Sequence, residues 1–207
     1  MKVDLGCFLC CEKKALSLMN QYQVPREKTL TVLKEIYGEF ACCEKTISAP
    51  VLMARMLQIL EKRVGISDAY EEPKKRYNGL LLKKSDEIEK EIQRSEDPFL
   101  QGLRYALTGN YIDFGAMDAV SEEKLGELLE KCRDITVDEE AVSRLRKDLQ
   151  KAKTLLYLTD NAGEIVLDLL WLRVIRKCYP HLEISVMVRG EPVLNDATRK
   201  DAEEIGM

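Results

Sequence analysis

Two short stretches carry residue types that do chemistry on phosphates and metals. Asp160-Asn161-Ala162-Gly163-Glu164 follows one apolar run, and Gly190-Glu191-Pro192-Val193-Leu194-Asn195-Asp196-Ala197-Thr198 follows another. The carboxylates of Asp160 and Asp196 and the amide oxygen of Asn161 are hard donors. They suit a hard or borderline divalent cation that keeps several waters. Small Ala162 and Gly163, at the start of a helix, would let an anion approach backbone N–H groups that attract negative charge. A phosphate ester spanning both features would be placed for metal-assisted transfer. The same residues also have a purely local reading. Asp-Asn-Ala-Gly after a strand makes a turn and an N-cap, and Asn195-Asp196 makes another. Spacing alone leaves the two readings side by side.

Other polar residues could join such a site. In Gly109-Asn110-Tyr111-Ile112-Asp113-Phe114-Gly115, Asn110 and Asp113 sit among bulky apolar neighbours. They form either a tight Asx-type turn or a polar contribution to an apolar-roofed pocket. Glu164 and Asp168 are four apart and share one side of a helix. Glu164 can answer the helix dipole, while Asp168, between Leu167 and Leu169, is placed to support the loop from behind. Cys7-x-x-Cys10-Cys11 and Cys42-Cys43 suggest either small buried hydrophobes on one helix face or a metal or redox group. With no second C-x-x-C, the zinc reading is the weaker. The single His181 argues against a His-rich metal site.

These residues depend on the elements that carry them. Residues 1–151 read as helix after helix: about Phe8–Gln23, from Pro25 through Phe40, Ser48 to Gly65, Pro73–Ser95, Asp97–Gly109, Ser121–Cys132 and Asp138–Lys151. Their charge runs read as solvated faces. From 152 the pattern changes. Thr154–Thr159 resembles a buried parallel strand, Glu164–Cys178 a helix, Glu183–Arg189 a second strand, and Arg199 a last helical start. Strand, helix, strand at this spacing is a βαβ unit, with the two loops at the carboxyl ends of parallel strands, where ligands gather in open α/β sheets.

Composition removes other functions. The 207 residues include 32 Lys and Arg against 36 Asp and Glu, for a net charge of −4. That balance argues against a nucleic-acid partner. No apolar run reaches the ~20 residues that span a bilayer, and the first residues do not form a signal peptide. A cytoplasmic protein with reduced thiols and no membrane partner is expected.

Three separated motifs carry a family resemblance. Thr159-Asp160-Asn161-Ala162-Gly163-Glu164, then Val188-Arg189 with Pro192–Thr198 and Asp201-Ala202, and the helical Gly109-Asn110-x-x-Asp113 together resemble the DUF89 family of metal-dependent damage-control phosphatases. Cys7-x-x-Cys10 and Asp97-Pro98 are similar to its archaeal and bacterial branch. The resemblance implies an N-terminal all-helical domain (1–151) packed on an α/β/α, Rossmann-like sandwich of which 152–207 is the start. It implies metal ligands Asp160, Asn161 and Asp196, with Asn110, Asp113 and Glu164 near the substrate. The implied cofactor is a divalent ion (manganese, cobalt, nickel or magnesium), and the substrates are phosphate monoesters of sugars and related metabolites. Asp160 and Asp196 become the catalytic pair. The nucleophile is either a cation-activated water or the Asp160 carboxylate, and acid–base work falls to Asp113 or Glu164. The family continues with further strands and a Lys-Gly-x-Gly-Asn loop, so 207 residues are expected to be an incomplete chain, since two strands are too few for a stable layer. Two rival functions remain: a nucleotide- or S-adenosylmethionine-binding α/β protein, weakened by the missing G-x-G-x-x-G, and a non-catalytic interaction module.

Overall fold

The computed structural model of the chain describes residues 3–110 and 122–207. Packing divides it into two compact units, Met1–Ala69 and Tyr70–Met207. The sequence pattern changes near residue 152, but the packing divides earlier, so the helices after Ala69 share a unit with the strands.

The first unit contains α1 (Leu5–Gln21), α2 (Arg26–Cys42) and α3 (Ala49–Val64). Asp4 accepts the Gly6 N–H at 2.9 Å and starts α1. Cys11, Ala15, Leu18 and Met19 of α1 are buried, as are Val32 and Ile36 of α2 and Leu52, Met56 and Leu60 of α3. Apolar residues at three- and four-residue intervals make these helices, and burying that stripe holds them. All seven cysteines are free. Cys11 is buried, which pushes its thiol up to about 11, with Cys10 and Cys7 adding to the shift. Cys7 is only half-buried and Cys10 exposed, so the expected burial of all three holds for Cys11 alone. Position 10 lies well off the stripe defined by 11, 15, 18 and 19, whereas position 7 is at its edge in the first turn of α1. Among the described residues no group of three or more His, Cys, Asp or Glu gathers as a metal site, which leaves the zinc reading of the thiols without an assembled cluster.

The second unit contains α4 (Glu71–Arg94), α5 (Pro98–Gly109), α6 (Glu122–Glu130), α7 (Glu139–Lys151), β1 (Thr154–Leu158), α8 (Glu164–Cys178), β2 (Glu183–Met187) and α9 (Arg199–Glu204). A 3-10 turn, Lys131–Asp134, follows α6. Pro98 in the first turn and the Asp97 carboxylate on the Leu100 N–H at 3.1 Å start α5. Helix α8 is the centre of the unit, with Ile165, Val166, Leu167, Leu170 and Ile175 nearly inaccessible. One face packs with Tyr77, Leu81 and Ile88 of α4, and another with Phe99 and Ala106 of α5.

β1 and β2 pair in parallel, Thr154 opposite Glu183 through Leu158 opposite Met187. This is the expected βαβ unit, but the expected burial on both strand faces is not found. Leu155, Tyr157, Ile184 and Val186 pack under α8. Leu156, Leu158 and Met187 on the other side are 52%, 67% and 50% exposed. Of an α/β/α sandwich, the described residues therefore show two strands with helix on one face only. Strand β2 stops at Met187 rather than Arg189 because the Arg189 N–H turns away to the Ala197 carbonyl at 3.0 Å. Among the described residues no helix is long and apolar enough to cross a membrane.

Candidate active site

The two acidic loops are joined through their backbones. Ala197 N–H donates to the Asp160 carbonyl at 2.7 Å, and Ala162 N–H to the Asn195 carbonyl at 2.8 Å. Asn161 and Asp196 form an antiparallel bridge, and Arg189 and Thr198 a parallel one. The pairing continues the sheet past Leu158 and Met187 and places Asp160, Asn161 and Asp196 on adjoining backbone. The N-caps expected of these residues fall elsewhere: Gly163 is the N-cap of α8, with no side-chain cap bond, and Thr198 with Asp201 forms the capping box of α9.

Each donor has a definite state. Asp160 is exposed. Asp196 Oδ2 accepts from Arg189 Nε at 2.6 Å. Burial pushes the Asp196 carboxyl up, the Arg189 contact and charge pull it down, and the Asp160 charge pushes it up again. Two carboxylates whose charges oppose each other are a setting that a divalent cation relieves. Asn161 Nδ2 points to Glu164 Oε2 at 3.4 Å, which leaves its Oδ1 as the amide's available acceptor. Two carboxylates and an amide oxygen fit a hard cation completed by water. They stop short of three anionic ligands, in keeping with the absence of such a group among the described residues.

Glu164 sits at the junction with the helices. Its Oε1 accepts from Asn110 Nδ2 at 2.7 Å, and its carboxyl is pushed up by burial and by the charge of Asp160. Asn110 is brought there by Gly109, where a Cβ would lie 2.7 Å from Glu164 Cγ and 3.1 Å from its Cα. Asp113, expected beside Asn110, lies outside the described residues.

The anion cradle expected at Ala162 and Gly163 is not open. Ala162 N–H is taken by Asn195, and Gly163 N–H donates to Asn78 Oδ1 at 2.6 Å. Gly163 itself, at φ 83° and ψ −62°, makes a tight turn that a residue with a side chain would strain. Ile165 N–H is also used, by the Asn161 carbonyl at 3.1 Å. These donors build the loop.

Four residues around the site were invisible as such in the sequence. Lys74 Nζ lies 3.2 Å from Asp201 Oδ2, both groups buried. Asn78 and Asn195 are buried against the loops, and Tyr157 OH donates to Asp168 Oδ1 at 2.6 Å. The expectation that charge runs in the helical part are solvated faces fails at Lys74.

Asp168 supplies a pH prediction for the metal-free protein. Burial raises its carboxyl from 3.8 to about 8; the Tyr157 bond opposes this, and Glu164 and Asp160 add to it. An acid that holds its proton more tightly when folded contributes stability below its unfolded pKa and loses it as pH rises toward the folded value. Wild-type stability is thus expected to fall between about pH 4 and pH 8. Asp168→Asn keeps an acceptor for Tyr157 and cannot ionise. It should flatten that slope and exceed wild type at the upper end by on the order of 3 kcal/mol in urea denaturation. Equal slopes in both proteins would contradict the assignment.

The family model described as damage-control phosphatase ARMT1-like domain matches residues 4–206. An uncharacterized protein of Methanocaldococcus jannaschii is 30% identical over 217 residues, covering 98% of this chain and 67% of the relative. A damage-control phosphatase of Archaeoglobus fulgidus is 30% identical over 178 residues, 85% of this chain and 58% of the relative. One from Pyrococcus horikoshii is 27% identical over 213 residues, 100% and 70%. The crystal structure of a DUF89 family protein from Pyrococcus horikoshii superposes with a TM-score of 0.83 at 23% identity, covering all of this chain and 70% of that one. The fold is shared, and the chain spans between 58% and 70% of the length of these relatives.

Proposed function

Since the chain belongs to the ARMT1-like damage-control phosphatase domain family, we propose that it serves a divalent-cation-dependent phosphatase acting on phosphate monoesters of sugars or related metabolites. The observation that carries this reading is the backbone bridge that joins Asn161 to Asp196 beside Asp160. Manganese, cobalt, nickel or magnesium held there would neutralise charge on the phosphoryl oxygens. The chain's own residues supply the rest. Arg189, half-exposed and paired with Asp196, would meet a phosphate oxygen with its remaining donors. Asn110, held by Glu164, would face the substrate. Both Glu164 oxygens accept from amides, so Glu164 would orient Asn161, and acid–base work would fall to Glu164 or Asp113. The exposed face of β1 and β2 is the surface on which the other helical layer of a sandwich would pack.

A screen of the four cations against a panel of sugar phosphates tests the reading. Release of phosphate with at least one pair is expected, and no release with any pair would overturn it. A narrower prediction concerns Glu164→Gln. Gln offers one acceptor where two amides need two, so either Asn110 or Asn161 loses its partner and Asn161 no longer holds its oxygen in place. Mn²⁺ affinity by calorimetry should fall about 10–100-fold, as for other partners of metal ligands. An affinity equal to wild type would remove Glu164 from this role.

A further inference from the structure

Lys74 and Asn78 lie one turn apart on α4, each only 3% exposed. Withdrawing a lysine and an amide from water is costly unless each is held by good partners. Their partners are the two loops of the candidate site. Asn78 Oδ1 takes the Gly163 N–H at 2.6 Å, and so holds the turn directly after Asp160 and Asn161. Lys74 Nζ meets Asp201 Oδ2 at 3.2 Å. That same oxygen accepts from Thr198 N–H at 2.8 Å and Thr198 Oγ1 at 2.6 Å, and Thr198 is two residues beyond Asp196. One turn of α4 therefore ties both loops from the helical side, across 85 and 127 residues of chain.

One further observation sets Asn78 apart from ordinary packing. Asn78 Nδ2 is buried without a hydrogen-bond partner, so the amide is kept for the one bond its oxygen makes, at the cost of an unused donor. An apolar residue of the same size would avoid that cost and lose the Gly163 contact.

We propose that Lys74 and Asn78 are positioning residues of the phosphatase site: Asn78 sets the turn that presents Asp160 and Asn161, and Lys74 sets the loop that presents Asp196. The proposal rests on the reading of those three residues as the cation site. It assigns a functional contribution to a helix that the motif residues do not include. Neither side chain touches substrate; each acts through the backbone it holds.

Mn²⁺ titration by calorimetry on the whole chain, beside thermal melting, tests it. Lys74→Met is expected to weaken Mn²⁺ binding at least about tenfold, and Lys74→Arg, which retains a donor to Asp201, to restore most of the loss. Lys74→Met with Asp201→Asn removes both charges yet keeps an acceptor for Thr198, so it should fold and still bind weakly. Asn78→Leu should weaken binding to a similar extent, and Asn78→Asp, which retains an acceptor for Gly163, should weaken it less. These conservative rescues are what a general loss of packing would not produce. Wild-type binding with every variant within twofold, or equal losses in Arg and Met at position 74 and in Asp and Leu at 78, overturns the positioning role alone. No Mn²⁺ binding by the wild type overturns the cation site and this proposal together. If the Lys74 variants melt below the assay temperature, the Asn78 pair decides.

Discussion

Asp160→Asn and Asp196→Ala are each expected to abolish cation-dependent phosphate release, a loss on the order of 10³-fold or more. Neither change should unfold the protein, and the geometry says why. The bond that ties Asp160 to the second loop comes from its backbone carbonyl, which accepts the Ala197 N–H at 2.7 Å and survives any side-chain change. The Asp160 side chain is exposed, and its charge pushes up the carboxyls of Glu164, Asp168 and Asp196. Asp160→Asn relieves that repulsion, so in chelator the variant should melt no lower than wild type. Asp196→Ala releases Arg189, itself half in water, so the lost ion pair has little effect on stability. Loss of activity at wild-type melting temperature separates chemistry from folding. Retained activity in both variants would sink the site assignment.

Gly109→Val is expected to be the most damaging single change outside the acidic loops. A Cβ at 109 would stand 2.7 Å from Glu164 Cγ, 3.0 Å from its Cβ and 3.1 Å from its Cα. A side-chain tip can swing aside; the Cα at the start of α8 cannot, because Ile165, Val166 and Leu167 are locked in the core. The end of α5 must therefore move off, stretching the 2.7 Å Asn110–Glu164 bond. Overpacking of this kind costs about 1–3 kcal/mol, and a valine should reach the upper end. Gly102→Ala is the informative control, since its nearest neighbour is the Trp171 ring at 2.7 Å with the backbone farther off at 3.6 Å. Urea denaturation should show the larger loss at 109, with reduced Mn²⁺ affinity there and not at 102. Wild-type stability for Gly109→Val would refute the close approach.

How much of this was legible in the sequence depended on the distance over which each feature is encoded. The βαβ unit was readable because its signals are local: a five-residue apolar run, Asp-Asn-Ala-Gly, and a helix whose buried positions recur every three or four residues. The convergence of Asp160, Asn161 and Asp196 followed from topology, since parallel strands bring their following loops to one edge. Lys74 was not readable. In Glu71-Glu72-Pro73-Lys74-Lys75-Arg76 nothing local distinguishes the buried lysine from its neighbours, and its partner is 127 residues away. Asn78 was hidden in the same way. Burial of both strand faces does not follow from the apolar runs, because the composition of a strand records what it can tolerate, while burial depends on what packs against it, here α8 on one side only. Cys7 and Cys10 shared a face with Cys11 by spacing, yet the core stripe of α1 is centred on Cys11 and Ala15, and a rotation of one position exposes Cys10.

The central claim is that Asp160, Asn161 and Asp196 hold a divalent cation. Anomalous diffraction from crystals grown with Mn²⁺ tests it most directly. The account predicts a single strong manganese peak bounded by the two carboxylates and the Asn161 amide oxygen, with the Asn161 nitrogen on Glu164. A peak elsewhere, or none in crystals saturated with Mn²⁺, would contradict it.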